Sequence, residues 1–299
     1  MENTNDKKEA MFRLTIIVLL WAVSNYSTSC DVSASTIERQ GEKGAEALVF
    51  IPGLASHGAL WRPWAEKFSS SHNVYVVTAS GFAGAPANLA DQPFLETTVT
   101  EIAARLEKDG VSHATVVGHS IGGLMALMLA HDVPDLVDQL LIVDSLPYLA
   151  GMFMLVVTPD VAREQAKMIA GQLKNMPHGM FLAQQKQSLS RLSNTVEFLP
   201  TLIKWSEASD QATVAAAMGE ALATDYRAAL ASIKSNITVL AAYSKMIQVP
   251  KAQFKALYAA QYAAAPNTKI QLVDDSYHFI MIDQSKVFSD ALRQVVMGE

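Results

Sequence analysis

The sequence predicts an α/β protein whose mostly parallel, doubly wound sheet has helices on both faces and carries one helical insertion. Three observations lead to this fold class. Short, near-continuous apolar runs recur along the chain, which is typical of strands buried on both faces of a sheet. Segments with helical spacing separate these runs, and this alternation favours parallel strands joined by helical crossovers. Residues 147–235 break the alternation, because they contain helical segments but no convincing strand.

The core elements follow one another in a regular order. Apolar, β-branched runs predict six strands, at 47–53, 73–79, 113–120, 139–145, 237–244 and 268–275. Between them we predict helices at 59–70 and 95–110, a helix that starts at Ser120, and a helix between the last two strands. Gly110 ends the second of these helices.

The organisation of the chain follows from these elements. The insertion is predicted to contain helices at 160–174, 178–192 and 211–232. We therefore divide the chain into a leader, residues 1–34, a core formed by 35–146 and 236–299, and a helical cap, residues 147–235.

Composition excludes several classes of function. Of 299 residues, 50% are hydrophobic and 17% are charged, so the chain can bury a large core. A net charge of −6 and the absence of any basic stretch disfavour nucleic-acid binding. The single cysteine, Cys30, excludes an internal disulfide and a cysteine-based zinc site. We expect neither a metal nor another cofactor, and composition does not indicate the oligomeric state.

The first 34 residues predict export. An uncharged apolar run at 14–23 follows Arg13 and is too short to cross a bilayer as a helix, but it suits a secretory signal. Two processing routes remain open. Small residues up to Ala34 suit cleavage by signal peptidase, whereas the residues ending at Cys30 resemble a bacterial lipobox, which would anchor the protein to a membrane. We expect a periplasmic or membrane-anchored protein.

A serine between glycines is the strongest chemical signal. In "VVGHSIGG" Ser120 follows a predicted strand and precedes a predicted helix, so it lies at a sharp turn. Gly118 and Gly122 lack the side chains that would collide at such a turn. The start of the helix also directs free N–H groups toward the serine. These features predict that Ser120 is a nucleophile.

Strand, turn and helix together resemble the nucleophile elbow of the α/β-hydrolase superfamily. The resemblance covers about residues 45–146 and 236–299, and it implies a serine hydrolase with six or seven strands, because the family's N-terminal hairpin is mostly missing. The family places its general base after the last strand, where His278 is the only histidine of the last hundred residues. His119 occupies a slot that supports the elbow in that family, with no role in proton transfer.

The position of the third catalytic group is unusual. Most family members carry an aspartate after the strand that corresponds to 237–244, but residues 237–273 contain neither Asp nor Glu. Some members use an acid one strand earlier, and here that position holds Asp144. The resemblance therefore implies that Asp144 orients His278.

The resemblance also implies an oxyanion hole with two backbone donors. One is the N–H of Ile121, directly after the nucleophile. The other is the N–H of Leu54, in the loop "IPGLASHGALW", where Pro52 stands in place of the family's usual histidine. Gly53 supports this loop.

The resemblance implies an enzyme that acts on a small-molecule acyl substrate. Apolar cap residues suit a hydrophobic ester or lactone, and Met152, Phe153, Met180 and Phe181 are predicted to line the pocket. A serine nucleophile argues against dehalogenase or epoxide hydrolase chemistry. Two alternatives stay open: an aminopeptidase of the proline iminopeptidase type, and a non-catalytic small-molecule receptor with the same fold.

Overall fold

The computed structural model describes residues 35–42, 44–87, 92–153 and 158–298, apart from the side chains of Met152 and Phe153. The predicted leader, with Cys30 and Ala34, lies outside the described residues. Within the described ranges, no helix has the length and hydropathy needed to span a membrane.

A seven-stranded sheet forms the centre of the molecule, with the strand order β1-β3-β2-β4-β5-β6-β7. β1 pairs antiparallel with β3, and every other neighbouring pair is parallel. The seven strands are β1 Thr36–Gly41, β2 Ala47–Ile51, β3 Asn73–Thr78, β4 Ala114–His119, β5 Val137–Val143, β6 Asn236–Tyr243 and β7 Lys269–Asp274. The predicted fold class, a mostly parallel sheet of six or seven strands, is confirmed.

Eleven α-helices are present in the described ranges. In chain order they are α1 Arg62–Phe68, α2 Phe94–Lys108, α3 Ile121–Asp132, α4 Ala150–Phe153, α5 Pro159–Asn175, α6 His178–Leu189, α7 Leu199–Glu207, α8 Gln211–Ala223, α9 Lys251–Gln261, α10 Ile280–Asp283 and α11 Ser285–Met297. Short 3₁₀ helices lie at Gly58–Trp61, Val196–Phe198 and Ala229–Ser232.

Alternate side chains of each strand pack on opposite faces of the sheet, as the period of two requires. On one face, Val49 and Tyr75 pack in a buried cluster with residues of α2, α3 and α9. On the other face, Leu48 and Val74 pack with residues of α1 and α11. Because both faces are covered, the strands are apolar on both sides, and this produces the runs that predict them from sequence.

The strand order reverses direction between β2 and β4, in the interior of the sheet. The chain passes from β2 to β3 on one side and then crosses β2 to reach β4 on the other side. Neighbouring loops leave such a switch point in opposite directions, so the carboxyl ends of β2 and β4 border a crevice. The loop after β2 contains Leu54, and the loop after β4 contains Ser120.

Strand β1 is the principal element that sequence reasoning missed. Its side chains are alternately exposed and partly buried, and only Ile37 is a large apolar residue. Polar contacts hold this edge strand in place: Arg105 donates to the carbonyl oxygen of Ile37 at 2.9 Å, and Arg39 donates to Asn73 at 2.6 Å. Charged side chains on an edge strand disfavour pairing with another chain. They also leave β1 without the apolar run by which the other strands are predicted.

In its described parts, the segment between β5 and β6 contains helices joined by loops and no strand. The predicted helix at 211–232 is interrupted, because α8 ends at Ala223 and Thr224 adopts an extended conformation. A carboxylate of the insertion also contacts the core: Glu220 accepts hydrogen bonds from the backbone N–H groups of Phe94 and Leu95 at 2.7 and 2.8 Å. It thereby satisfies two donors at the start of α2 that have no partner within the helix.

Candidate active site

Ser120 lies in a strained turn between β4 and α3. Its backbone angles are φ 55° and ψ −125°, a conformation that L-residues rarely adopt. Strain of this kind costs about 1–3 kcal/mol and persists only where the surroundings hold it. The Ser120 N–H donates to the carbonyl oxygen of Val143 at 3.0 Å, which ties the turn to β5.

Two glycines allow the turn to be this tight. A Cβ on Gly118 would collide with the carbonyl oxygen of Gly122, on the first turn of α3. A Cβ on Gly122 would in turn collide with the carbonyl oxygens of Ile51 and Pro52, at the end of β2. The start of α3 is therefore pressed against both β4 and the loop after β2.

The loop after β2 lies against the nucleophile. A Cβ built on Gly53 would lie 3.2 Å from the Cβ of Ser120, so the backbone of this loop passes directly beside the serine. Leu54 follows at once, and Ile121 follows Ser120 at the start of α3. In the described part of the chain, neither of these two N–H groups donates to a protein acceptor. Their role as oxyanion donors stays a prediction.

His278 and Asp144 are brought together although 134 residues separate them. His278 Nδ1 and Asp144 Oδ2 are 2.6 Å apart, and both side chains are largely buried. Because a carboxylate can only accept, Nδ1 carries the proton, and Nε2 of the neutral ring keeps a free lone pair. This is the tautomer that a general base requires.

The backbone at Asp144 also adopts a positive φ, 45°. Asp tolerates this conformation better than most residues. The N–H of Asp144 donates to the carbonyl oxygen of Leu240 at 2.7 Å, and its Oδ1 accepts from the N–H of Ala242 at 2.9 Å. Residues 237–273 contain no acid, but the Asp144 carboxylate, directly after β5, reaches across to the backbone of β6.

His119 is buried, and it is hydrogen-bonded to the loop between β7 and α10, residues 275–279, which contains His278 and is called the histidine loop. Its Nε2 lies 3.0 Å from the carbonyl oxygen of His278, so this nitrogen must donate. Burial, together with the nearby His278, holds the pKa of His119 well below its usual range. A neutral His119 therefore links the elbow to His278, and it is too deeply buried to exchange protons with a substrate.

An unpredicted acid, Asp283, organises the backbone before His278. It accepts from the Tyr277 N–H at 2.8 Å and from the Ser193 hydroxyl at 2.6 Å. It also accepts from Thr195, through the backbone N–H at 3.3 Å and the hydroxyl at 3.0 Å. A single carboxylate thus joins the loop between α6 and α7 to the histidine loop.

We predict that Asp283→Asn lowers the free energy of unfolding by about 1–3 kcal/mol, because the new amide NH₂ would face donors that now have a charged acceptor. Urea unfolding measures this change. Asp290→Asn is the matched control, since Asp290 lies on α11 with an exposed ion pair to Lys286. Equal stability of the two variants would contradict the role given to Asp283.

The sequence contains a partial signal for the residues that were missed. Phe254, Tyr258 and Tyr262 recur at intervals of four, the first two on α9 and the third directly after it, and all three are buried. This spacing marks them as core residues, but it does not show that the Tyr258 hydroxyl contacts Asp144. Asp283 offers no comparable signal, because its partners lie about ninety residues earlier in the chain.

The predicted pocket residues have different environments. Phe181 has no exposed surface and belongs to a buried cluster with Val214, so the prediction that it lines a pocket is wrong. Packing of the insertion's helices against one another accounts for this apolar residue. Met180 is 62% exposed, and its role in the pocket stays a prediction. The side chains of Met152 and Phe153 lie outside the described part of the structure.

Comparison with known proteins identifies the family of this chain. A profile of the alpha/beta hydrolase family matches residues 48–291. The chain belongs to the alpha/beta hydrolase family. One curated relative of this alpha/beta hydrolase is the pimeloyl-(acyl-carrier protein) methyl ester esterase of Aliivibrio salmonicida, 38% identical over 112 residues. The match covers 38% of this chain and 41% of the relative, so the chain spans about two fifths of the relative's length.

Solved structures share the fold of this alpha/beta hydrolase over most of its length. The enol-lactonase of Burkholderia xenovorans LB400 has a TM-score of 0.71 at 16% identity, covering 88% of this chain and 96% of that one. A thermophilic esterase from Thermogutta terrifontis has a TM-score of 0.70 at 18% identity, covering 88% and 93%. At such low identity these similarities establish the fold alone.

Proposed function

We propose that this alpha/beta hydrolase is a serine hydrolase that cleaves a small hydrophobic ester or lactone through an acyl-enzyme. The observation that carries the proposal is the short contact between His278 Nδ1 and Asp144 Oδ2, in a chain that also holds Ser120 in a strained turn. A serine is a weak nucleophile without a base, and the oriented imidazole of His278 would supply that base.

The reaction proceeds in two halves. Ser120 Oγ attacks the acyl carbon while His278 Nε2 takes its proton, and Asp144 stabilises the resulting imidazolium. The N–H groups of Leu54 and Ile121 bind the oxyanion of the tetrahedral intermediate. The intermediate collapses as His278 gives the proton to the leaving alkoxide, which leaves Ser120 acylated. Water, deprotonated by His278, then attacks the acyl-enzyme and releases the acid and the free serine.

Two observations support an ester or lactone as the substrate. The curated relative named above is a methyl ester esterase, and one structural neighbour is an enol-lactonase. Aromatic rings also lie at the loop after β2, which contains Leu54 and His57. His57 stacks on Trp205 with centroids 6.1 Å apart, and Phe198 meets Trp205 edge-on at 5.8 Å. Such rings favour an apolar acyl or alcohol group.

The insertion offers little to hold the free amine of an aminopeptidase substrate. Most of its acids already have partners: Asp160 and Glu164 pair with basic side chains of α5, Asp225 pairs with Arg227, and Glu220 binds the start of α2. An amine site would need a carboxylate directed at the substrate. This argues against a proline iminopeptidase type of activity.

We expect a fluorophosphonate probe to label the folded protein, and Ser120→Ala to abolish both labelling and hydrolysis of p-nitrophenyl esters. Labelling is read by intact-protein mass spectrometry, and a panel of acyl esters, lactones and aminoacyl amides identifies the preferred substrate. Ser80→Ala, at another loop serine, serves as the control and should retain labelling. Absence of labelling in the folded wild-type protein would favour a receptor, and preference for aminoacyl amides would favour an aminopeptidase.

A further inference from the structure

The two oxygens of Asp144 have separate partners. Oδ2 binds His278 Nδ1 at 2.6 Å. Oδ1 accepts two hydrogen bonds, from the Ala242 N–H at 2.9 Å and from the Tyr258 hydroxyl at 3.0 Å. With Oδ1 held by two donors, the carboxylate cannot rotate about its Cβ–Cγ bond without breaking them. The direction of Oδ2 toward the imidazole is therefore determined by the partners of Oδ1.

Tyr258 is well suited to remain a donor at this position. It lies on α9, the helix that follows β6, and only 3% of the residue is exposed. Burial and the neighbouring charge of Asp144 raise the pKa of Tyr258 well above its usual range. The phenol consequently keeps its proton, and with it the hydrogen bond to the carboxylate.

We propose that Tyr258 is a positioning residue for the catalytic acid: its hydroxyl fixes the orientation of Asp144 and through it that of His278. This inference rests on the proposed serine hydrolase function. It explains how an acid that follows β5 can serve in place of one that follows β6. The helix after β6 supplies the donor, and the carboxylate reaches across to it.

Tyr262, directly after the last residue of α9, offers a matched comparison. It lies one turn after Tyr258 and is also buried, with 2% exposure. Its hydroxyl donates at 2.9 Å to the carbonyl oxygen of Ser145, which is a backbone group next to Asp144. Replacing either tyrosine with phenylalanine removes one buried hydroxyl and keeps the ring. Only the change at position 258 removes a hydrogen bond to the carboxylate.

We expect Tyr258→Phe to lower kcat for p-nitrophenyl ester hydrolysis about 10- to 100-fold, because a hydrogen bond to a charged group is among the strong ones. KM should stay within about twofold, since the contact acts on the transition state more than on substrate binding. Tyr262→Phe should lose comparable stability toward urea but keep kcat within about threefold. Equal kcat values for Tyr258→Phe and wild type would overturn the proposal, as would equal losses in both variants.

Proton NMR separates this proposal from the proposed function, because it needs no turnover. The proton between His278 Nδ1 and Asp144 Oδ2 should resonate at low field in wild type and disappear in Asp144→Asn. We expect the resonance to broaden or vanish in Tyr258→Phe and to persist in Tyr262→Phe; persistence in both would overturn the role of Tyr258.

If Ser120→Ala retained esterase activity, the proposed function would fail, while this resonance would still report on Tyr258. Should Tyr258→Phe not fold, 3-fluorotyrosine at position 258 keeps the hydroxyl and makes it more acidic. It should then shift the resonance, whereas the same replacement at position 262 should not. An unshifted resonance with fluorotyrosine at position 258 would also overturn the proposal.

Discussion

Asp144→Asn should lower kcat for ester hydrolysis about 10⁴-fold, as expected for an asparagine in place of the acid of a serine-histidine-acid triad. The amide at position 144 can present its NH₂ to His278, which would place the ring proton on Nε2 and remove the lone pair that accepts the serine proton. Asn also cannot stabilise the imidazolium by charge. Steady-state kinetics with a p-nitrophenyl ester measures the loss.

Asp275→Asn is the control for this prediction. Like Asp144, Asp275 has a positive φ, 53°, but it lies close to His278 in sequence and its side chain is exposed. Asparagine tolerates that conformation, so the variant should fold and keep its kcat. Activity of Asp144→Asn near that of wild type, with Ser120→Ala inactive, would mean that another group orients His278.

Gly118→Ala should destabilise the fold by about 3 kcal/mol or more, at or above the upper end of what overpacking a core costs, because backbone must move apart. The added Cβ would collide with the carbonyl oxygen of Gly122 and lie 2.7 Å from the Cα of Gly123. Both atoms are backbone atoms of α3, so no side chain can move aside. Urea unfolding, or loss of soluble protein, reports the effect.

Gly171→Ala is the matched control for the same chemical change. Gly171 lies within α5, and a Cβ there would meet no atom within 4 Å. Alanine favours a helix interior over glycine by about 1 kcal/mol, so this variant should be slightly more stable than wild type. A Gly118→Ala variant as stable as wild type would contradict the close contact between β4 and α3.

The strands of the core could be predicted because burial on both faces demands apolar residues at every position. The apolar runs at 47–51 and 140–143 show this requirement directly in the sequence. The elbow was predictable for a similar reason, since a turn of this tightness needs glycine at positions 118 and 122. In each case the physical requirement acts within a few residues of the signal.

Contacts between distant segments were not predictable from the residues alone. The position of Asp144 relative to His278 depends on the strand order, which places β5, β6 and β7 side by side. Likewise, neither Tyr258 nor Asp283 differs locally from an ordinary helix residue. Tyr258 and Asp283 were missed, whereas Phe181 was assigned to a pocket although it is buried. An apolar residue of the insertion suits a pocket or a core equally well until its neighbours are known.

The fold class and the tight turn at Ser120 follow from the sequence, whereas the pairing of that serine with His278 stays a prediction. The fold class and the turn each depend on local backbone geometry or on burial that is uniform along an element. How Asp144 is held depends on the assembled fold, since its oxygens bind groups from β6, α9 and the histidine loop. Hydrogen bonds among segments so far apart form only when the sheet is assembled, so no short stretch of the chain encodes them.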